Sequence, residues 1–412
     1  MQIRENFNIS ILSLINQKFR SFLTMLGIIF GTASVIAMVS IGEGTKKQAI
    51  AKYQDLGVNN VIVRDKDLSD SELEEVRMKF SKGLSLRDAE VIRDIVPGVV
   101  DVAPQSEIKL EARYTDRSSR VAVIGITPSM MEILNYNIEA GVFINDDHYE
   151  RELKVCILGA NAARELLGYK NPLGQNIKLG DQWFEVTGVL QPRALFTETV
   201  GELAARDLNN DVYIPLSTFH RRMPRENRFA SELKQITVKL DRSDHLMQSA
   251  AVIRSILNRH HFNNDDFSII IPYELLKQEE KERRIYNLLL ASIAAISLIV
   301  GGIGIMNIML ASVVERTREI GIRTALGGKK SDIMSQFVTE AVVLSLSGGV
   351  IGVIFGISLS ILIAMMSEIN TSITLYSVFI AFGFSAIVGI TFGYLPAKTA
   401  SNLSPIEALR HE

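Results

Sequence analysis

IYNLLLASIAAISLIVGGIGIMNIMLASVVERTREIGIRTALGGKK, residues 285–330, is the stretch whose reading decides the fold. From Ile285 to Val314 it carries no charged side chain. At 1.5 Å rise per residue such a helix is roughly 45 Å long, against a hydrocarbon core of about 30 Å, so it can span a bilayer and protrude from it. The chain then turns abruptly polar: Glu315, Arg316, Arg318, Glu319, Arg323, Lys329 and Lys330, with Ile320, Ile322, Ala325 and Leu326 interleaved. That pattern predicts a short charged helix under the membrane, ended by Gly327-Gly328 at a C′ position. Its five basic residues and lack of any spanning stretch mark the 315–340 loop as cytoplasmic. A compact, partly apolar helix tied at both ends to spanning helices is suited to receive a push.

Working outward, three more charge-free stretches are long enough to span: Ser21–Gly42, Ala341–Ser367 and Ile369–Ala397. The fold class expected is therefore an α-helical membrane protein with four transmembrane helices. A large α/β (α+β) extracytoplasmic domain is inserted between the first and second, over Glu43–Arg284. The mean hydropathy of +0.18 conceals this partition. Lys18 and Arg20 before the first span, the loop at 315–340, and Lys398 and Arg410 after the fourth all place their side inside, with both termini cytoplasmic in the cell (inner) membrane. Ser21–Gly42 is too long for a signal-peptide core and no A-x-A site follows, so it is expected to remain as an anchor. Residues 1–20 place Ile3, Phe7, Ile11, Leu14 and Ile15 at helical spacing, which predicts an amphipathic helix in the membrane interface or an extension of the first span.

In the soluble segment, Asn60–Arg64 and Val99–Ala103 read as strands around a helix Ser85–Val96 capped by Ser85 and closed by Pro97-Gly98. Gln235–Leu240, Ser243–His260 and Phe267–Ile271 repeat the strand–helix–strand order. These two units, about 57–119 and 230–275, are expected to form one α/β subdomain. The strand signals Arg120–Ile126, Lys154–Leu158, Gln175–Leu179 and Trp183–Val189 predict a β-rich subdomain inserted over about 120–229. Arg193–Asn210 shows no period and reads as a loop. Leu275–Arg284 (LLKQEEKERR) runs into the second span without Gly or Pro and is expected to extend it as a stalk. At the other end, Ser404, Pro405 and Glu407 have capping-box spacing, predicting a short tail helix Pro405–His411 within the cytoplasmic tail 398–412.

The formal net charge of −2, with no basic run, gives no sign of a nucleic-acid partner. Cys156 is the only cysteine, so no disulfide can form within the chain. The spans hold no Asp, Glu, Lys, Arg or His, which argues against an ion-coupled transporter. They carry small residues at i,i+4 instead: Gly27/Gly31, Gly348/Gly352/Gly356 and Gly389/Gly393. Such faces allow close helix–helix approach, within one subunit or between two. Gly301, Gly302 and Gly304 form a weak GxG pattern, but inside a span, where the strand–turn–helix context of a dinucleotide site is missing. No G-x-x-x-x-G-K-[ST] occurs, so the chain is not expected to hydrolyse ATP itself. His260-His261 with Asp265 and Asp266 are expected to be solvated polar residues at a helix end rather than a metal site, and no nucleophile–base set stands out.

Three segments carry a resemblance: TMLGIIFGTASVIAMVSIGEG (24–44), ISLIVGGIGIMNIMLASVVERTREIGIRTALGGKKSDI (296–333) and GYLPAKTASNLSPIEALRHE (393–412). They closely resemble the MacB-like permeases of the FtsX-type ABC exporter family, and the order of parts agrees over the whole chain. The resemblance implies a permease dimer, a homodimer by analogy, set in membrane lipids, that transmits the motion of cytoplasmic ABC ATPase subunits to the outer domain. It makes Glu315, Arg316, Arg318, Glu319, Ile320, Gly321, Arg323, Ala325 and Leu326 the ATPase-coupling element, where the family's E-R-T-R-E-I-G-I-R motif stands. MacB carries its ATPase fused on the same chain, whereas these residues begin at the permease. A separate ATPase subunit is therefore expected, binding ATP and Mg, with no cofactor in this chain. A periplasmic adaptor protein is a further partner in this family. Two functions are compatible with the resemblance: export of an amphiphile such as an antibiotic, peptide or lipoprotein, or regulation of a cell-wall hydrolase without transport, as in FtsX. The large bipartite outer domain favours export.

Overall fold

The computed structural model describes residues 18–57, 59–193, 207–225, 229–367, 371–405 and 408. Residues 1–17 of the helix expected over 1–20, the tail helix Pro405–His411 apart from 405 and 408, and most of Arg193–Asn210 lie outside these residues. The chain forms two compact units, Met1–Gln48 with Glu280–Glu412, and Ala49–Glu279.

The first helix, α1, runs over Lys18–Asp55, well past the apolar stretch that predicted it. Gln48, Ala49 and Ile50 keep the helix going, and it ends before Gly57, whose φ of +78° is open to glycine without strain.

Residues 49–279 then alternate strands and helices. The elements are β1 (Asn60–Asp65), α2 (Asp70–Met78), α3 (Leu86–Ile95), β2 (Val99–Tyr114), β3 (Arg117–Ile126), α4 (Met130–Ile133), β4 (Ile138–Gly141) and α5 (Asp146–Glu150). There follow β5 (Val155–Leu158), α6 (Ala160–Leu167), β6 (Asn176–Leu179), β7 (Gln182–Leu190), β8 (Asp211–Pro215), α7 (Leu216–Arg222), β9 (Gln235–Leu240), α8 (Leu246–His260) and β10 (Phe267–Ile270). Ser85 caps α3, with its side chain accepting from Asp88 N and the Asp88 carboxylate reaching back to Ser85. The strands run in the order β10-β1-β9-β2-β3-β8-β5-β7-β4.

Strand β2 joins the two halves of this sheet. Residues from Val99 to Gln105 pair with β9, while Ser106 to Tyr114 pair with β3. The change of partner therefore falls inside β2, upstream of the 119/120 division read from the sequence. A strand of 16 residues is long enough for the accumulated twist to hand it from one set of neighbours to another. The first half packs Val61, Val63, Ile92, Val238, Ile253 and Leu257 into one core. The second half buries two clusters, one around Phe184 and Leu166 and one around Tyr213 and Ile157. Strand β8, missed in the sequence, is buried at all five positions and parallel to β3. A strand covered on both faces shows no alternation to read.

The remaining helices are α9 (Pro272–Glu315), α10 (Thr317–Ala325), α11 (Lys330–Met366) and α12 (Leu375–Ser401). Pro272 opens α9 at a first-turn position where its missing N–H costs nothing. Helices α1, α9, α11 and α12 are long and apolar enough to cross a membrane. They pack round Ile28, Ile305, Met309, Phe337, Ala341, Leu344 and Ala397. The turn between α11 and α12 is tied to α1, since Ser372 N donates to Ser40 O at 2.9 Å and Lys47 Nζ to Ser372 Oγ at 2.9 Å.

Every glycine of the small-residue rows faces another helix of the same chain. A Cβ on Gly27 would lie 2.4 Å from Gly301 Cα, and one on Gly352 1.8 Å from Thr32 Oγ1. Gly31 abuts Leu298, Gly348 meets Ile28 and Gly356 meets Ala33. Gly389 meets Ser345 and Gly393 meets Ala341. Lipids offer no hydrophobic drive for helices to associate, so backbone approach at these positions is what packing energy there is.

Candidate functional site, a short helix after the second span

Helix α9 stops at Arg316, whose φ of −103° and ψ of 13° leave the helical region. The next turn begins at once as α10. It ends in a Schellman arrangement: Gly327 N donates to Thr324 O at 3.1 Å and Gly328 N to Arg323 O at 2.9 Å, with Gly327 at φ +94°. A β-carbon at Gly327 would be strained, so the Gly-Gly pair sets the length of α10.

The helix has two faces. Ile320, 4% exposed, and Gly321 turn inward. Ile320 joins Ile333, Phe337, Ala397 and Ala400, and Gly321 closes on Ala408, which a Cβ would approach to 2.6 Å. The sequence reading assigned Ile320 to a contact with a partner, and that assignment is corrected: its side chain is consumed by the chain's own packing. Arg316 is likewise turned to the chain, its Nη1 lying 3.4 Å from Glu340 Oε2 on α11. Outward lie Arg318, Glu319, Ile322, Arg323, Ala325 and Leu326, with Leu326 84% exposed. Glu315, the last residue of α9, is exposed as well. Arg323 bonds Glu319 at 2.5 Å and Gln336 Oε1 at 2.7 Å, an i,i+4 surface pair worth only a few tenths of a kcal/mol. Its value lies in presenting a patterned surface, with Ile322 and Leu326 one turn apart as apolar studs.

Sequence reasoning missed Ile322 as a stud and Glu340 altogether. Glu340 lies on the same stripe as Ile333 and Phe337, at spacings that face one side of a helix. A carboxylate on that stripe was the available signal.

In the soluble unit, Asp265 is exposed and His260 half-buried, but His261 and Asp266 are not solvated. His261, Asp266 and Asp88 are all buried. His261 Nδ1 lies 2.7 Å from Asp266 Oδ1, and His260 Nδ1 lies 2.7 Å from Asp88 Oδ1. His261 Nε2 lies 3.5 Å from Asp88 Oδ2, and Ser81 Oγ donates to Asp266. Burial disfavours the imidazolium, but the bonds to Asp266 and Asp88 outweigh it and raise His261 to about 9. Burial also disfavours the Asp88 carboxylate, yet His261, Ser85 and His260 bring it down to about 2. The helix end closes over its own ions because α3 and α8 pack together there. Among the described residues no group of three His, Cys, Asp or Glu is placed to hold a metal.

One nucleophile–base contact does form: Ser106 Oγ lies 2.9 Å from His220 Nε2, with Glu232 Oε1 3.9 Å from His220 Nδ1. The serine proton is donated to Glu232 O at 2.7 Å, so Nε2 must donate to Oγ. That is the opposite of the tautomer a general base needs.

Residues 21–256 match the MacB-like periplasmic core domain family, and residues 291–405 match the FtsX-like permease C-terminal family. The chain belongs to the MacB-like, FtsX-type permease family. It is 33% identical over 401 residues to the macrolide export ATP-binding/permease protein MacB of Bdellovibrio bacteriovorus, covering 96% of this chain and 60% of that protein. It is 33% identical over 399 residues to the pyoverdine export ATP-binding/permease protein PvdT of Pseudomonas syringae pv. tomato, covering 96% of this chain and 58% of that one. The periplasmic region of MacB from Actinobacillus actinomycetemcomitans aligns over 57% of this chain and 98% of its own, at 17% identity and a TM-score of 0.44. This MacB-like permease is thus a membrane protein, with four apolar helices among the described residues and a large α/β periplasmic-type domain between the first and second.

Proposed function

We propose that this MacB-like permease is the membrane component of an ATP-driven exporter of amphiphilic molecules, and that the work enters through α10. The observation that carries the reading is the two-sidedness of α10: an inward face locked into the helix bundle and an outward face of alternating charge with two apolar studs. Such a patch suits a protein partner, with buried apolar groups supplying affinity and the arginines orientation. ATP and Mg would be bound by an ABC ATPase docked on that face, in keeping with relatives named ATP-binding/permease proteins. Relatives named for macrolide and pyoverdine export support an amphiphilic cargo. The same reading sets two permease copies together in the inner membrane, with residues 43–284 outside, where an adaptor protein can reach them.

The test replaces Ile322 and Leu326 with aspartate. Both are exposed, so folding and thermal stability should not change. Each carboxylate would be desolvated in the docked complex, and ATPase recovered with the purified permease should fall at least about tenfold. Normal recovery of the ATPase would remove α10 as its dock.

Topology has its own test. In intact cells, a membrane-impermeant thiol reagent should modify Asp181→Cys and spare Lys329→Cys. The reverse pattern would invert the whole arrangement.

A further inference from the structure

Helix α10 follows α9 in sequence, yet several of the side-chain attachments at and beyond its start run to α11. Ile320 packs against Ile333 and Phe337, Arg323 reaches Gln336 at 2.7 Å, and Arg316 pairs with Glu340 across 24 residues of sequence. The last of these is physically unusual. Glu340 is 7% exposed and shares a stripe with Ile333, Phe337, Ala341 and Leu344, where an apolar residue would pack without any desolvation penalty. A buried ion pair is weak evidence for stability and better evidence for a fixed register. Arg316 is also the single residue at which the backbone leaves the helical region between α9 and α10. At such a joint the angle of α10 is underdetermined by the helix ladder alone, and a side-chain tie can set it.

We propose that Arg316 and Glu340 are positioning residues that clamp α10 to α11, so that a displacement of α10 is passed to the third span as well as along α9. The proposal rests on the coupling reading above. Without the clamp, Arg316 would act as a swivel, and a push on Leu326 and Ile322 would reach α11 only through Ile320 and Arg323.

The experiment uses the full chain in lipid nanodiscs. A nitroxide on Ala325→Cys reports the mobility of α10; Cys156 is fully buried and stays unlabelled. Arg316→Gln and Glu340→Gln are each expected to mobilise the label. In complexes with the co-purifying ABC ATPase, each should lower permease-dependent ATPase stimulation by about tenfold while ATPase binding stays within about twofold. The double variant should lose less than the two single losses combined, since both remove the same tie. Glu340→Asp, which keeps the charge, should recover part of the stimulation.

Label mobility and stimulation both within about twofold of the parent would overturn the clamp. So would loss of ATPase binding and thermal stability together with stimulation, which would make the pair a packing element only. If the parent chain recruits no ATPase, the coupling reading falls, and the nitroxide spectrum alone still decides whether the pair immobilises α10.

Discussion

Gly27→Leu should leave almost no folded permease. The α1–α9 crossing is backbone against backbone: a Cβ on Gly27 lands 2.4 Å from Gly301 Cα and 2.9 Å from Gly301 N, and a Cβ on Gly301 lands 2.8 Å from Gly27 C. No flexible side chain stands between the two helices to yield. Even alanine must push them apart, which overpacking data put at roughly 1–3 kcal/mol. Leucine adds three more carbons at the same point. Ile28 and Ile305 pack in the same cluster, so the separation would also open that core. Monodisperse protein after detergent extraction should fall by roughly tenfold or more, whereas Gly383→Leu should be neutral, because nothing lies within 4 Å of a Cβ there. An unchanged yield and melting temperature for Gly27→Leu would show that this crossing is not close in the membrane.

The second large effect concerns the soluble unit. His261→Ala removes the cation shared by two buried carboxylates, Asp266 at 2.7 Å and Asp88 at 3.5 Å. Breaking a buried pair by deleting one partner costs roughly 3–5 kcal/mol, or about 6–20 °C in melting temperature for a unit of this size.

The pH dependence follows from the directions of the shifts. His261 is raised from 6.5 to about 9, so its contribution is fully present below the lower value and is lost as pH climbs through the upper one. Asp88 is lowered from 3.8 to about 2, so its contribution is present above 3.8 and is lost as pH falls toward 2. The parent chain should therefore lose stability steadily between pH 6.5 and about 9. His261→Ala should melt lower throughout and show no such slope. Thermal melts of the purified chain across that range, followed by proteolysis of residues 49–279, provide the check. A parent curve as flat as that of the variant would mean His261 is neutral in the folded state.

Four apolar stretches, one abrupt polar loop and Gly327-Gly328 make the membrane architecture and α10 legible in the sequence. Length against bilayer thickness, charge clustering and glycine's access to positive φ are local properties, and a chain displays them in order. Ser85 announced its helix start for the same reason. What the tertiary structure alone decided is which side chains face one another. The reading gave Ile320 to a partner, but the bundle takes it, because only the packing of α11 and α12 tells which side of a nine-residue helix is inside. Gly301 entered as part of a weak nucleotide-like pattern and emerged as the partner of Gly27. His261 read as a solvated helix end, yet α3 brings Asp88 to it from 173 positions earlier in the sequence and seals the ions from water. Hydrophobic period and capping are written residue by residue. Burial of a charge depends on a neighbour contributed from elsewhere in the chain, and only the folded chain supplies it.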